Sequence, residues 1–239
     1  MTLVDFYATR PAPCPYLPGR EERKVLAELA PGSGHMLYDR LAHAGFRRSH
    51  TFAYRPNCVG CQACLAVRVV APEFRASKSM RRVWRKNDNV TAMIRGPTAT
   101  MEQFDVFRRY IASRHGQGEM ASMSAEDYAS MIEESTVDTS IVEFRDRDSR
   151  LIGALLTDSL SDGFSAVYSF FDPARGPESF GTWMVLWLIE RAKRSSLPYV
   201  YLGYWVEGSE KMSYKARFKP LQALGHKGWA ALSASKEST

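Results

Sequence analysis

The chain has 239 residues, 45% hydrophobic and 12% aromatic, enough for one large domain or two smaller ones around a real core. Lys and Arg total 32 against 26 Asp and Glu, a net charge of +6, which permits an anionic partner and says nothing of fold. No apolar run reaches the roughly 18 residues of a membrane span, and the start, MTLVDFYATRPAPCP, lacks the basic and apolar regions of a secretory signal; a cytoplasmic protein without membrane contact is expected.

Residues 11–19, PAPCPYLPG, are too rich in proline for a helix and predict an irregular loop. The spacing of Val25, Leu26 and Leu29 predicts a short helix over 21–29, and Leu37 and Leu41 predict another over 36–44, stopped at Gly45. Residues 46–54 read as one strand, with Phe52 and Tyr54 on a common face. After the cysteine loop RPNCVGCQAC, 65–70 is a β run. Residues 74–88 hold Arg75, Lys78, Arg81, Arg82, Arg85 and Lys86, with no acidic residue before Asp88. At helical spacing Lys78, Arg81, Arg82 and Arg85 share a face opposite Met80, Val83 and Trp84; this is either a solvated face or a phosphate-binding one.

Gly96-Pro97 marks a boundary between a smaller N-terminal α+β domain, 1–96, and a second domain, 97–239. In the second, Phe104, Phe107, Tyr110 and Ile111 predict a helix over 101–113, and Ser124 with Asp127 a capped helix to 134. Three strands, 137–145, 151–158 and 164–171, are joined by turns short enough for an antiparallel meander. A long apolar helix, 179–194, leads to a strand from Tyr199 to Val206. A short helix and a strand near 228–232 follow, then a polar C-terminal tail. This order is that of the Gcn5-like N-acyltransferase fold, an α/β (α+β) class in which two central strands splay to admit an acyl donor.

The stretch YVYLGYWVEGSEKMSYKARFKPL, residues 199–221, carries most chemistry. Gly203 inside an apolar strand marks a close approach of another group. Lys211, Lys215, Arg217 and Lys219 alternate with Met212, Tyr214 and Phe218, a pattern suited to a phosphate backbone ending in a base, or to a solvated cationic face. The loop before the long helix, DPARGPESFG, puts Glu178 where an acyl-CoA site needs glycine, and a carboxylate there repels a diphosphate. Cys58, Cys61 and Cys64 place three thiols within seven residues, with Cys14 in the proline loop as a candidate fourth. This suits an iron–sulfur cluster or zinc, or four reduced thiols without metal. His35, His43, His50, His115 and His226 are scattered and read as structural. Neither a nucleophile elbow nor a phosphate-binding Gly-rich loop is present.

The segments CPYLPGREER, YDRLAHAGFRRSHTFAYRPNCVGCQAC, VYSFFDP and YVYLGYWVEGSEKMSYKARFKP resemble the aminoacyl-tRNA–protein transferases of the N-end rule pathway. The likeness is to the bacterial branch that uses leucyl-tRNA, related to the eukaryotic arginyltransferases. The resemblance implies transfer of leucine from leucyl-tRNA to proteins beginning with Asp or Glu, marking them for degradation. It implies no cofactor required for transfer, with Cys14, Cys58, Cys61 and Cys64 matching the positions that bind an iron–sulfur cluster or zinc in relatives. Tyr168, Asp172, Tyr204 and Glu207 are candidates to orient or deprotonate the acceptor amine. Arg47, Arg48, Arg55 and Arg68 are candidates to read its acidic side chain. Arg81, Arg82, Arg85, Lys211, Lys215, Arg217 and Lys219 are candidates for tRNA. Two other classes stay open: an acyl-CoA-dependent N-acetyltransferase, and a non-enzymatic RNA-binding or metal-sensing module.

Overall fold

The computed structural model describes residues 4–114 and 119–232. His115 and the polar tail after residue 232 lie outside them. In chain order the elements are β1 (Phe6–Ala8), β2 (Ala12–Pro13), β3 (Glu21–Glu22), β4 (Lys24–Glu28), α1 (Gly34–His43), β5 (Arg47–Ser49), β6 (Phe52–Pro56), β7 (Cys64–Val70), α2 (Lys78–Lys86) and β8 (Thr91–Arg95). There follow α3 (Met101–Arg114), α4 (Ala125–Glu133), β9 (Thr139–Arg145), β10 (Leu151–Leu160), β11 (Gly163–Phe171), α5 (Phe180–Arg194), β12 (Tyr199–Val206), α6 (Glu210–Ser213), β13 (Leu221–Gly225) and β14 (Gly228–Ala231).

An eight-stranded mixed sheet, ordered β14-β13-β7-β12-β11-β10-β9-β8, forms the body, and a four-stranded sheet, β1-β4-β6-β5, lies beside it. β9, β10 and β11 are the expected antiparallel meander. Alternation along these strands sorts side chains onto two faces. Val142, Phe144, Ile152 and Leu155 meet Trp183, Met184 and Leu188 of α5 and Met80 of α2 in one core. Ile141, Leu151, Ala154 and Leu156 meet Phe104 and Phe107 of α3 and Tyr128 and Ile132 of α4 on the other. The rest of that second face is covered by α1 and the four-stranded sheet, through Tyr38, Leu41, Ala53 and Tyr201. The α4 start is the capping box expected, Ser124 and Asp127 each bonding the other's backbone N–H.

Three sequence expectations are corrected. Residues 21–29 form strands instead of a helix, because β4 is sandwiched between β1 and β6 with Leu26 opposite both Tyr7 and Tyr54; pairing outweighs a weak helical spacing. Residues 46–54 are two strands of a hairpin, turned at His50 with φ 52°. β8 and β13 were not expected, and both extend the main sheet. The sequence boundary at residue 96 falls between β8 and α3, yet the sheet crosses it, since β7 pairs with β12 and β8 with β9.

Candidate active site at the divergence of two strands

β11 and β12 run parallel and pair at Gly163–Tyr199, Phe164–Val200 and Ser165–Tyr201, and no further. β12 then follows β7 as far as Val206 opposite Cys64, while β11 follows β10 to Phe171. Two buried strands thus part and leave a wedge between Ala166–Phe171 and Leu202–Val206. The parting has local causes: β11 slips register against β10 near Ala166, and β12 against β7 around Gly203. Bulges of this kind bend a strand away from its neighbour. Gly203 has φ +73°, and a Cβ there would overlap the Arg47 guanidinium.

Arg47 reaches over Gly203 and donates from Nη2 to the carbonyls of Ala166 and Val167, both at 2.9 Å. It makes no ion pair among the described residues. Burial works against its charge, but the phenols of Tyr54, Tyr38, Tyr204 and Tyr16 around it outweigh this and raise its pKa. The other three candidate arginines are placed differently. Arg48 is fully buried and bidentate with Asp158, at 2.8 Å for each bond. Arg68 bonds Gln222 and the Tyr201 hydroxyl, lies 3.6 Å from Asp162, and stacks between Tyr199 and Trp229. Both spend their N–H donors on internal partners. Arg55 is exposed over Phe46 and donates to the Ala44 carbonyl.

Tyr204 is likewise engaged internally. Its hydroxyl bonds the carbonyls of Gly45 and Tyr54 at 2.9 and 3.0 Å, tying the four-stranded sheet to β12, and burial pushes its pKa up. Tyr168, on β11 at the wedge, is partly exposed; burial, then Tyr110, pushes its phenol up. Asp172 pairs with Arg109 at 3.2 Å and accepts from the Ala174 N–H. Glu207 is exposed in the turn after β12.

Of the expected nucleic-acid residues, Arg81, Arg82 and Arg85 are exposed on α2, and Lys211, Arg217 and Lys219 are exposed near the wedge. Lys215 is not: it is 5% exposed and its Nζ donates to the Tyr204 carbonyl. Burial, then Arg47, lowers its pKa to about 7. Tyr16, Tyr110 and Tyr214 also belong to this neighbourhood and were missed; Tyr110 reads from its spacing as core, and Tyr214 as one aromatic in a basic run. Tyr16 is pushed up to about 12 by burial and then by Tyr54.

The four cysteines gather near Tyr16. Burial first, then the thiols of Cys14, Cys58 and Cys61, push Cys64 up to about 11. Cys58 exchanges hydrogen bonds with the Arg23 backbone. Among the described residues no group of three or more His, Cys, Asp or Glu is arranged to hold a metal ion. As placed, the thiols do not fit a cluster or zinc.

At the start of α5, the Glu178 carboxylate pairs with Arg175. A carboxylate here remains a poor host for diphosphate.

A mixed sheet whose central parallel pair splays over the half-buried Arg47 is the acyltransferase-like fold. The fold is shared with L-PGS from Bacillus licheniformis, at TM-score 0.53 and 12% identity, covering 74% of this chain and 62% of that one. Family profiles described as arginine-tRNA-protein transferase match residues 12–82 for the N terminus and 102–225 for the C terminus. A protein of Paramagnetospirillum magneticum named aspartate/glutamate leucyltransferase is 54% identical over 94% of this chain and 92% of its own. One of Nitrobacter winogradskyi with the same name is 51% identical over 98% and 94%. The chain belongs to the arginine-tRNA-protein transferase family, aminoacyltransferase enzymes, within its aspartate/glutamate leucyltransferase group.

Proposed function

We propose that this protein takes leucine from leucyl-tRNA and joins it through a peptide bond to proteins whose N-terminal residue is Asp or Glu, marking them for degradation by the N-end rule in the cytoplasm. The relatives' shared name over nearly the whole chain supports the substrates. The observation that carries the mechanism is the wedge between β11 and β12 with Arg47 at its floor.

The donor is an ester, already activated, and the acceptor is an α-amine with an ordinary pKa of about 7.7–8.0. A minority of that amine is neutral at physiological pH, so the enzyme's main work is to hold amine and carbonyl in contact. Positioning of this kind can supply effective molarities of roughly 10⁵ M and above. The transfer exchanges an ester for an amide and needs no cofactor.

Of the four candidate arginines, Arg47 alone borders the wedge without a carboxylate partner, and we assign the acceptor's acidic side chain to it. A fork of N–H donors suits a carboxylate. Tyr168, whose hydroxyl has no hydrogen bond among the described residues, is the first choice to touch the acceptor amine; Asp172 and Glu207 frame the two rims. Lys211, Arg217 and Lys219 would take the tRNA acceptor end, and Arg81, Arg82 and Arg85 phosphates further out. In this reading residues 1–96 supply Arg47 and the cysteine motif, and 97–239 supply the Gcn5-like wedge.

The test is transfer of labelled leucine and, separately, arginine from charged tRNA to peptides beginning with Asp, Glu, Lys or Ala. Leucine should appear on the Asp and Glu peptides alone. Arginine in its place overturns the donor, and tight coenzyme A binding by calorimetry without any transfer overturns the reaction.

A further inference from the structure

Lys215 is a buried amine with no acidic partner among the described residues. It sits in the short turn Tyr214–Arg217, and its only hydrogen bond among the described residues is to the Tyr204 carbonyl. That carbonyl belongs to the part of β12 that has left β11, so the amine lies at the wedge. A side chain 5% exposed cannot lie on a phosphate backbone with the exposed Lys211, Arg217 and Lys219, and the tRNA role expected from sequence does not suit it.

The groups facing it are few. From β5 comes the Arg47 guanidinium, a second cation. From β12 comes the Tyr204 carbonyl, that residue's hydroxyl being turned toward Gly45 and Tyr54. From its own turn comes Tyr214, whose ring centroid is 6.0 Å from Nζ. Tyr214 in turn senses Tyr110 of α3, and Tyr110 senses with Tyr168 of β11. Among the described residues no carboxylate contributes. Burial and a like charge both disfavour the ammonium, so a large share of Lys215 is neutral near pH 7. One N–H remains held by Tyr204, and a neutral amine then has a lone pair to offer.

We propose that Lys215 is the proton carrier of the transfer step, a reading that rests on the aminoacyl transfer proposed above. As the acceptor nitrogen attacks the ester carbonyl, the new C–N bond forms and the nitrogen gives up a proton to the neutral Lys215 amine. When the C–O bond to the tRNA ribose breaks, the Lys215 ammonium returns a proton to the departing oxygen. One proton leaves nitrogen and one reaches oxygen, so the lysine ends as it began; no oxidant, reductant or metal enters.

The experiment compares wild type with Lys215→Met and Lys215→Arg in leucyl transfer to an Asp peptide, with thermal unfolding as the check on folding. Lys215→Met should lose about 100-fold or more in kcat, the usual share of a positioned proton carrier, with KM for leucyl-tRNA and peptide nearly unchanged. Lys215→Arg keeps the charge but cannot release a proton, and should lose as much. Below pH 7, wild-type log(kcat/KM) should fall with a slope of two, since acceptor amine and Lys215 must both be neutral, and the variants' with a slope of one. Ethylamine should restore part of the rate to Lys215→Ala. Full activity in Lys215→Arg, or a raised KM for leucyl-tRNA with unchanged kcat in Lys215→Met, would assign the lysine to tRNA and overturn the proposal. A wild type that transfers nothing would overturn the reaction itself, a failure separable from any result on the lysine.

Discussion

The β11–β12 pair has a closed end and an open end, and buried cations meet different company at each. Around Ser165 and Tyr201, where the strands are paired, Arg48 is matched by Asp158 and Arg68 by Asp162. Thr139 donates to the Asp158 Oδ1 that Arg48 also holds, and the Tyr201 hydroxyl donates to the Asp162 carboxylate. A few residues on, where the strands diverge, the hydrogen bonds of Arg47 and Lys215 among the described residues go to backbone carbonyls alone. Desolvating an ion costs several kcal/mol unless a counter-charge and hydrogen bonds offset it. The closed end meets that cost internally and is structural; at the open end burial and Arg47 lower the pKa of Lys215, and the Arg47 guanidinium is left without a carboxylate, which the acidic acceptor proposed above would supply.

The largest expected effect breaks the closed end. Arg48→Ala strands the Asp158 carboxylate in a site with no exposure, and should cost about 3–5 kcal/mol, measured by urea unfolding. Replacing both partners together by Met and Leu should recover most of that loss. At the open end the effect on stability runs through pH. Lys215 has a folded pKa of about 7 against an ordinary value of 10.5, so the unfolded chain binds more protons between those values. Stability should therefore rise with pH across that window, with the penalty fully present below pH 7. Lys215→Met should flatten this rise in thermal melts taken at pH 6, 8 and 10. Smallest is Gly203→Ala: a left-handed non-glycine residue costs roughly 1–2 kcal/mol, and the methyl must also move Arg47. A modest loss in melting temperature with a larger loss in transfer to Asp peptides is expected; equal loss on all acceptors would take acid reading away from Arg47.

Long periodic segments made much of the fold legible. α3, α5 and the meander follow from apolar spacing, and α4 from Ser124 and Asp127, because burial of one face dictates each pattern. Residues 21–29 misled, since Val25 and Leu26 fit a helix or a strand equally and only distant partners, Tyr7 and Tyr54, decide. The site was half legible. Gly203 announced a close approach, and the structure supplies the group that approaches, Arg47. Nothing in a run of alternating basic and aromatic residues separates Lys215, folded inward, from Lys211 and Lys219, which face water. In the short turns after β12 a one-residue change of direction sends a side chain to the opposite environment. Likewise Arg47 and Arg48 are neighbours of identical chemistry, and strand alternation alone gives one to the wedge and the other to Asp158.

The sheet's order has a consequence for how such a protein can be rearranged. β12 lies between β7, from the first third of the chain, and β11, and the Tyr204 side chain grips the hairpin of β5 and β6 while its carbonyl holds Lys215. A recombination event that exchanged the first 96 residues with those of a distant relative would change the Arg47 floor of the wedge and the hairpin that anchors Tyr204 at once. A fragment bearing only the later strands would expose β12 as a bare, apolar edge.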